Sequence, residues 1–449
     1  MLTSEPTPLP ATLATRLIVE PRIRVRTSVL PAEDPERASA VCAESGVPLA
    51  ILARHGATVR QTHRRANVVV IDVPAERQDA LRSDLAAAGF DARPPKPVFP
   101  LLNESVPAQH VPAIWRAGFE GAGLRIAIVD TGADRHPDFA ARIALAQDFT
   151  EHGDVDDVGH GTHVAGIVAG AGNVYRGVAP KATLVIAKAL AGDGGSEDAV
   201  LAAMSWASRQ NVHVMNLSLG GPGDPKDPLS REVDALWADG ILVCVAAGNS
   251  GPSAKTIGSP GTAAGAITVG ASDKLRVLTS YSSRGPVPGL RVHKPDLVAI
   301  GGGVTPEAAC HYGVGVASAR APVLDHDRCA VPPRYVRMSG TSMATPHVAG
   351  LCALLVEAAT TQAATLAREA GRLGRAATWG GVGGSAPTKQ KVARAVRRAL
   401  LQGAVDLGLG RDAAGAGIVD GARSLAVIRG SRARTSASET TVRSGVKAK

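Results

Sequence analysis

The feature that most restricts the fold is an alternation of short apolar segments with helical ones, which begins at Leu124. Each apolar segment is continuous, which is typical of strands buried on both faces of a parallel sheet. The predicted strands are Arg125–Asp130, Thr183–Ala189, His213–Leu219, Leu242–Ala246 and Ala266–Gly270, and the predicted helices include Ser196–Arg209, Leu229–Ala238 and Thr341–Ala358. This order predicts a three-layer α/β domain in which helices cover a mostly parallel sheet.

A smaller unit precedes this domain. It is predicted from an apolar run at Arg22–Leu30, a helix at Pro35–Ser45, a second apolar run at Ala66–Val73 and a helix at Ala75–Ala88. This order predicts a small α+β domain of the ferredoxin-like type. Clustered prolines from Pro94 to Pro107 favour extended chain and end it. We therefore predict a disordered N-terminus at 1–15, the small domain at 16–100, the large domain at 101–429 and a basic disordered tail at 430–449.

Composition excludes some classes of partner. The chain has 449 residues, of which 45% are hydrophobic and 20% charged, which fits a soluble globular protein. A net charge of +9 would permit binding to nucleic acid, but the basic residues mostly do not cluster, and those of the tail at 430–449 are expected to be solvated. Every apolar run is interrupted before the roughly 18–20 residues that a membrane span needs. We expect neither a nucleic acid nor a membrane as partner.

Cysteine usage and the N-terminus bear on the compartment. The five cysteines are odd in number and lack CxxC spacing, and Cys244 and Cys352 lie in apolar runs as expected for inert core thiols. Cys310 and Cys329 could pair in an oxidising compartment. No leader with an apolar core is visible, because three prolines interrupt the first residues. A cytoplasmic location is therefore favoured, with secretion by an unrecognised route as the alternative.

Three separated segments combine a reactive side chain with glycines. They are Ile126–Gly132 (IAIVDTG), Gly159–Gly166 (GHGTHVAG) and Ser339–Gly350 (SGTSMATPHVAG). A serine hydroxyl is a poor nucleophile at neutral pH, so it needs an imidazole to take its proton, and the imidazole needs a fixed anion to hold its tautomer. Ser342, His160 and Asp130 can supply these three groups.

With these motifs the chain resembles the subtilisin-like serine protease family, from about Leu102 to Leu425. The resemblance implies a serine endopeptidase that acts on polypeptide substrates, with Asp130, His160 and Ser342 as its triad and no required cofactor. The family's oxyanion-binding asparagine corresponds to Asn249, in the segment VAAGNSG.

The resemblance also implies substrate contacts at Ser218, Leu219, Gly220, Ala247, Gly248 and Gly258. Small residues without a fixed charge predict broad specificity and a preference for large apolar P1 residues. The N-terminal domain corresponds in position to the family's propeptide, which implies an intramolecular inhibitor that is removed by cleavage between Pro97 and Val106. The alternative is a permanent accessory domain.

Metal binding is left open by the sequence. His160 and His163 have a spacing found in metal sites, but Gly161 and Thr162 stand where a zinc protease helix has its glutamate, so His163 is predicted to be a structural helix histidine. The carboxylates Asp154, Asp156 and Asp157 could bind a structural Ca²⁺, and a solvated acidic loop is the equal alternative.

Two further functions stay open beside peptide hydrolysis. One is an inactive peptide-binding scaffold, and the other is a transpeptidase or macrocyclase that passes the same acyl group to an amine. Two insertions, Pro286–Arg337 and Thr360–Lys391, have no readable role.

Overall fold

The computed structural model describes residues 15–21, 47–63, 68–93, 105–153, 155–192, 194–303, 314–327, 329–369 and 386–430. The chain divides into two compact units, Met1–Phe99 and Pro100–Lys449. The predicted disordered segments 1–15 and 430–449 lie outside the described residues, apart from Thr15 and Gly430.

The first unit is a four-stranded antiparallel sheet with helices. Its strands are β1 (Thr15–Pro21), β2 (Thr58–His63), β3 (Val68–Val73) and β4 (Phe90–Arg93), in the sheet order β2-β3-β1-β4. Its helices are α1 (Leu49–Arg54) and α2 (Gln78–Ala87). Burial alternates along β3, so that Val69, Ile71 and Val73 pack into the core of this unit.

The predicted apolar run Arg22–Leu30 and helix Pro35–Ser45 lie outside the described residues, and β1 precedes them in the chain. The sheet order is the one expected of a βαββαβ plait. Because the connection between β1 and α1 is not described, the ferredoxin-like assignment of this unit stays a prediction.

The second unit is built on a seven-stranded sheet in which every neighbouring pair is parallel. In sheet order its strands are β11 (Leu297–Ile300), β10 (Ile267–Ser272), β9 (Leu242–Ala246), β8 (Val214–Leu217), β5 (Arg125–Asp130), β7 (Thr183–Lys188) and β6 (Ile143–Asp148). The central strands are buried along their length, as continuous apolar runs require. The predicted α/β fold with a mostly parallel sheet is confirmed.

Helices cover both faces of this sheet. One core cluster contains residues of α3 (Ser105–Ala108), α4 (Val111–Arg116), α5 (His160–Ala169), α8 (Thr341–Glu369), α9 (Ala386–Gly403), α10 (Arg411–Ala414) and α11 (Gly421–Ile428). The opposite cluster contains residues of α6 (Glu197–Ser208) and α7 (Pro228–Ala238). Within β5, Ile126 and Ile128 belong to the first cluster and Ala127 and Val129 to the second, which gives three layers.

The segment Pro286–Arg337, predicted to be an insertion, holds β11 and most of a small sheet. That sheet is antiparallel and consists of β12 (Val316–Ala319), β13 (Ala330–Val331) and β14 (Tyr335–Met338), in the order β12-β14-β13. Because β11 is fully buried at the edge of the large sheet, this part of the segment belongs to the core.

One helical stretch within the described residues, Thr341–Ala363, has the length and mean hydropathy (1.3) of a membrane span, in contrast to the sequence expectation. Its most apolar 18 residues are 83% buried inside the protein, because α8 packs against β8, β9 and β10. Its hydropathy is that of a core helix.

Candidate active site

Asp130 is the last residue of β5 and is fully buried. Its Oδ1 accepts hydrogen bonds from the backbone N–H of Thr131 at 2.8 Å and from Nδ1 of His160 at 2.6 Å. Its Oδ2 has no hydrogen-bond partner among the described residues. A buried carboxylate with so few donors is costly unless a neighbour can carry positive charge, and His160 is such a neighbour.

His160 is the first residue of α5 and its side chain is 25% exposed. Because the carboxylate of Asp130 can only accept, Nδ1 carries the ring proton and Nε2 is left free to accept another. Burial alone would lower the pKa of His160, but the charge and hydrogen bond of Asp130, together with the charge of Asp156, leave this pKa above its ordinary value. The ring therefore has the tautomer of a general base.

Ser342 lies in the first turn of α8. Its hydroxyl donates to the carbonyl oxygen of Ser218 at 3.1 Å, and the hydroxyl of Ser218 donates to the carbonyl of Ser342 at 2.9 Å. Ser218 follows β8, which neighbours β5 in the parallel sheet, so both strands end at the same edge. The structure thus joins Asp130 to His160 directly and brings Ser342 to the same edge through Ser218.

Asn249 follows β9, the next strand of the sheet. Its Oδ1 accepts from the backbone N–H and the hydroxyl of Thr341, at 3.0 and 2.9 Å. This leaves the Nδ2 donor beside Gly340, where an added Cβ would lie 3.4 Å away. The predicted oxyanion donor therefore lies against the residues that immediately precede Ser342.

The residues predicted to contact substrate differ in their exposure. Ser218 is buried, Leu219 is half-buried and Gly220 is exposed, in the segment that leaves β8. Gly248 has a φ of 102° and is half-buried. Ala247 is fully buried in a small apolar cluster, and its contact with substrate stays a prediction.

Gly258 lies where two backbone segments meet. Gly221 and Ser259 exchange two backbone hydrogen bonds, both of 2.9 Å, and an added Cβ at Gly258 would lie 2.7 Å from the carbonyl oxygen of Gly221. A glycine is needed here for this close approach. Its predicted place at the floor of the primary pocket stays a prediction.

The carboxylates considered as calcium ligands have other partners. Asp156 is buried and both of its oxygens accept hydrogen bonds from the protein, while Asp157 bonds to Nζ of Lys188 at 2.7 Å. Asp154 lies outside the described residues. In the part of the chain that the structure describes, no three His, Cys, Asp or Glu side chains are grouped to hold a metal ion. A calcium role therefore finds no support at Asp156 or Asp157.

His163 is buried, and its Nε2 bonds to the carbonyl oxygens of Val316 and Val336 at 3.0 and 3.1 Å. Burial lowers its pKa to about 3, so it is neutral. This is the structural helix histidine that the sequence predicted. Its contacts join α5 to β12 and β14 of the small sheet.

The cysteines are of two kinds. Cys244 and Cys352 are free and buried, with their Sγ atoms 3.7 Å apart, and burial raises the pKa of Cys244 well above its ordinary value. Such thiols are unreactive, as expected. Cys329 is disulfide-bonded. Cys310, considered as its partner, lies outside the described residues.

Two residues near Asp130 were missed by sequence reasoning. The hydroxyl of Thr131 accepts from the backbone N–H of Gly161 at 2.8 Å. Lys188 ends β7 fully buried, and its Nζ donates to the carbonyl of Val155 at 2.6 Å as well as to Asp157. A lysine at the end of an apolar strand (TLVIAK) was the available signal, since a buried charge needs partners.

The sequence pattern that defines the Subtilase family of peptidases matches residues 121–402. This range includes every described segment of the site. The chain belongs to the subtilase family. The predicted family is therefore confirmed. Membership of this family also confirms the predicted enzyme class, a serine-type endopeptidase.

Several subtilases resemble the chain in sequence. The serine protease AprX of Bacillus subtilis is 38% identical over 57% of this chain and 62% of its own length. Subtilisin BL of Lederbergia lenta is 36% identical over 54% of this chain and 80% of its own length. An alkaline protease of Shouchella clausii is 34% identical over 64% of this chain and 68% of its own length. The chain thus spans less than two thirds of AprX.

These subtilases also correct the expected location. The preference for the cytoplasm is wrong, because the relatives are extracellular subtilisins and alkaline proteases of Bacillus and related bacteria. That preference rested on a leader not being visible, which is weak ground for a compartment. The secreted alternative agrees with the relatives.

Proposed function

We propose that the chain is a serine endopeptidase in which Ser342 is the nucleophile, His160 the general base and Asp130 the group that orients His160. The observation that carries the proposal is the 2.6 Å hydrogen bond between Asp130 and Nδ1 of His160, at the sheet edge where α8 begins with Thr341 and Ser342. This arrangement leaves Nε2 of His160 as the acceptor for a hydroxyl proton.

The reaction has two halves. In the first, Nε2 of His160 takes the proton of Ser342 as its Oγ attacks the peptide carbonyl, and the imidazolium then gives that proton to the leaving amine. In the second, His160 takes a proton from water as the water oxygen attacks the acyl group, and the imidazolium returns that proton to Oγ of Ser342 as the acyl–oxygen bond breaks and the acid is released. Asp130 stabilises the imidazolium in both halves.

The developing oxyanion needs donors. The Nδ2 of Asn249 is one, since its Oδ1 is already bonded to Thr341, and the backbone N–H of Ser342 at the start of α8 is another. An extended substrate would lie along Ser218–Gly220. Large apolar P1 residues are preferred in this proposal, because the residues predicted to contact substrate, Ser218, Leu219, Gly220, Gly248 and Gly258, carry no charge.

The N-terminal unit is proposed to be an inhibitor and folding aid, removed by cleavage between Pro97 and Val106. Its own compact core supports this role, because an inhibitor domain must fold as a unit. Tethering to the enzyme would give it an effective concentration of roughly millimolar.

The replacement Ser342→Ala tests the nucleophile. We expect it to abolish peptide hydrolysis and labelling by a fluorophosphonate, while the melting temperature stays close to that of the unaltered protein, because a single half-buried hydroxyl is removed. Ser339→Ala is the matched control, since Ser339 lies in the same segment and, among the described residues, its hydroxyl accepts from the N–H of Gly303. Retained hydrolysis by a folded Ser342→Ala protein would contradict the proposal. A ligated product made from peptides by the unaltered protein would favour peptide transfer over hydrolysis.

A further inference from the structure

Asp156 is 1% exposed in the loop before α5, and its carboxylate binds the segments on either side of the proposed base. Its Oδ1 accepts from the hydroxyl of Thr131 at 2.8 Å and from the N–H groups of Val158 and Gly159 at 3.2 and 2.7 Å. Its Oδ2 accepts from the N–H and hydroxyl of Thr162, at 2.8 and 2.6 Å. Both oxygens are therefore fully used by the protein.

Thr131 extends this contact to Asp130. Its N–H donates to Oδ1 of Asp130 at 2.8 Å, and its hydroxyl accepts from the N–H of Gly161 while donating to Asp156. Thr131 and Gly161 are the residues that immediately follow Asp130 and His160. The carboxylate of Asp156 thus contacts Thr131, which follows Asp130, and residues on both sides of His160.

The two segments approach as closely as their backbones allow. A Cβ added to Gly161 would lie 2.0 Å from the carbonyl oxygen of Gly132 and 3.2 Å from Cβ of Asp130. The separation of Asp130 and His160 is therefore set by the packing and hydrogen bonds of these turns. Displacements of about 1 Å between reacting groups can cost a hundredfold in rate.

The loop that carries Asp156 is itself fixed. Nζ of the buried Lys188 donates to the carbonyl of Val155 and to Asp157, the two neighbours of Asp156, and Lys188 pairs with Asp130 in the register of β5 and β7. The buried charge of Asp156 is balanced by donors at the N-terminus of α5, where negative charge is stabilised.

We propose that Asp156 is a positioning residue for peptide hydrolysis, because its carboxylate fixes Asp130 and His160 at the distance and orientation that proton transfer requires. This inference rests on the proposed function.

The charge of Asp156 has a second effect. The charged groups that raise the pKa of His160 are Asp130 from β5 and Asp156 from the loop, and among the described residues His163 of α5 is a further titratable neighbour, since His160 lowers its pKa. A negative charge favours the protonated imidazole, so removing the charge of Asp156 lowers the pKa of His160. The acid limb of the pH profile then moves to lower pH.

Asp156→Asn keeps the shape of the side chain but turns one acceptor into a donor that faces Thr162. We expect kcat to fall about tenfold with little change in KM, and the acid limb to move to lower pH. Thr131→Val should lower kcat in the same way, because it removes the linking hydroxyl, and Thr131→Ser should restore it. The Asp156→Asn and Thr131→Val effects should be less than additive, because both break one network.

Glu151→Gln is the matched control. It removes a charge from the same loop, but Glu151 is exposed, and among the described residues no hydrogen bond joins it to Thr131, Thr162 or Lys188. We expect its kcat and pH profile to match the unaltered enzyme. If Asp156→Asn and Thr131→Val leave kcat and the acid limb unchanged, or if Thr131→Ser fails to rescue, the inference is wrong.

A readout without turnover separates this inference from the proposed function. In the Ser342→Ala protein, the low-field NMR resonance of the proton between His160 Nδ1 and Asp130 reports on their hydrogen bond. Adding Asp156→Asn should shift or broaden this resonance, and adding Glu151→Gln should not. A resonance that Asp156→Asn leaves unchanged would contradict the positioning role of Asp156. An enzyme with intact Ser342 that neither hydrolyses peptides nor reacts with a fluorophosphonate would instead overturn the proposed function, whatever the resonance does.

Discussion

At the scale of single residues, His160 is governed by two opposing effects. Burial of the ring disfavours the imidazolium, whereas the carboxylate of Asp130 at 2.6 Å favours it. The second effect prevails, so the pKa of His160 lies above its ordinary value of about 6.5. A base with a raised pKa is protonated, and therefore idle, over more of the acid range.

Peptide hydrolysis should therefore rise with pH as His160 loses its proton. We expect kcat/KM to increase through a single ionisation with a midpoint above about 6.5. The profile is measured between about pH 4 and 9 on a neutral peptide, so that titration of the substrate does not contribute. A flat profile, or a midpoint well below the ordinary histidine value, would contradict the role of His160.

The residues of the site were predictable to different degrees. Asp130, His160 and Ser342 stand out because each lies in a glycine-rich segment at the end of a strand or the start of a helix. The role of Asp156 was not predictable, since a carboxylate in a run of acidic residues resembles a calcium ligand or a solvated loop. Its donors, Thr131 and Thr162, become visible only once the chain folds.

At the scale of elements, helix α9 is joined to the large sheet by a buried ionic cluster. Asp296 accepts from Nζ of Lys294 at 2.7 Å and from Nη2 of Arg397 on α9 at 2.8 Å. Burial alone would raise the pKa of Asp296, but these two cations hold it below its ordinary value. Arg397 also donates to the carbonyl of Ala264 and lies 5.2 Å from the ring centroid of Trp237.

Arg397→Ala should destabilise the second unit by about 1.5–3 kcal/mol, because it removes charge-assisted hydrogen bonds to buried acceptors. Arg398→Ala is the control, since Arg398 lies next to it on the same helix and is exposed. The free energy of unfolding in urea, measured in the Ser342→Ala background to avoid self-digestion, compares the two. Equal losses for both variants would show that the cluster does not anchor α9.

The strands that the sequence predicted differ in residue pattern from those that it missed. The five predicted strands are buried apolar runs in the middle of the sheet. β6 was missed because its four middle residues are exposed at the sheet edge, so no continuous apolar run marks it. β11 was missed because its apolar run, Leu297–Ile300, is only four residues long and lies between a proline and a run of glycines.

At the scale of the whole molecule, two neutral histidines are buried in the core. Burial lowers the pKa of His347 to about 4 and that of His163 to about 3. Nδ1 of His347 bonds to the carbonyl of Met343 at 2.8 Å and its Nε2 to the hydroxyl of Ser105 at 2.9 Å, which suits a neutral ring. Below the ordinary histidine pKa, the unfolded chain binds protons that the folded chain excludes.

The stabilisation that depends on these two histidines being neutral should therefore be fully present above about pH 6.5, and it should be lost as the pH falls toward 4. The shift of His347 alone corresponds to a loss of about 3 kcal/mol by pH 4. His347→Gln should flatten this pH dependence, whereas the exposed His152 replaced by Gln should not. Melting temperatures of the Ser342→Ala protein provide the measurement, and identical slopes for all three proteins would contradict it.

The two compact units lead to a prediction for the whole chain. Residues 1–100, added as a separate protein, should inhibit an enzyme that begins near Leu102 and should help it to fold. Val69→Asp in the added unit is the control, since Val69 is fully buried in β3 and a charge there should unfold the unit. Circular dichroism verifies which form is folded. If the enzyme folds readily without residues 1–100, and the folded unit leaves its activity unchanged, residues 16–100 are an accessory domain instead.

The position of Ser342 affects how long this residue stays intact when other copies of the enzyme can digest the protein. Ser342 begins a helix whose residues Leu351–Val356 are all buried between the large sheet and neighbouring helices. Local fluctuations open exposed loops first, and such a helix opens only when the sheet beneath it is uncovered. Because proteases cut opened chain, we expect self-digestion to begin at the exposed loops and to reach the helix of the proposed nucleophile last. Ser342 should therefore last as long as the folded core does.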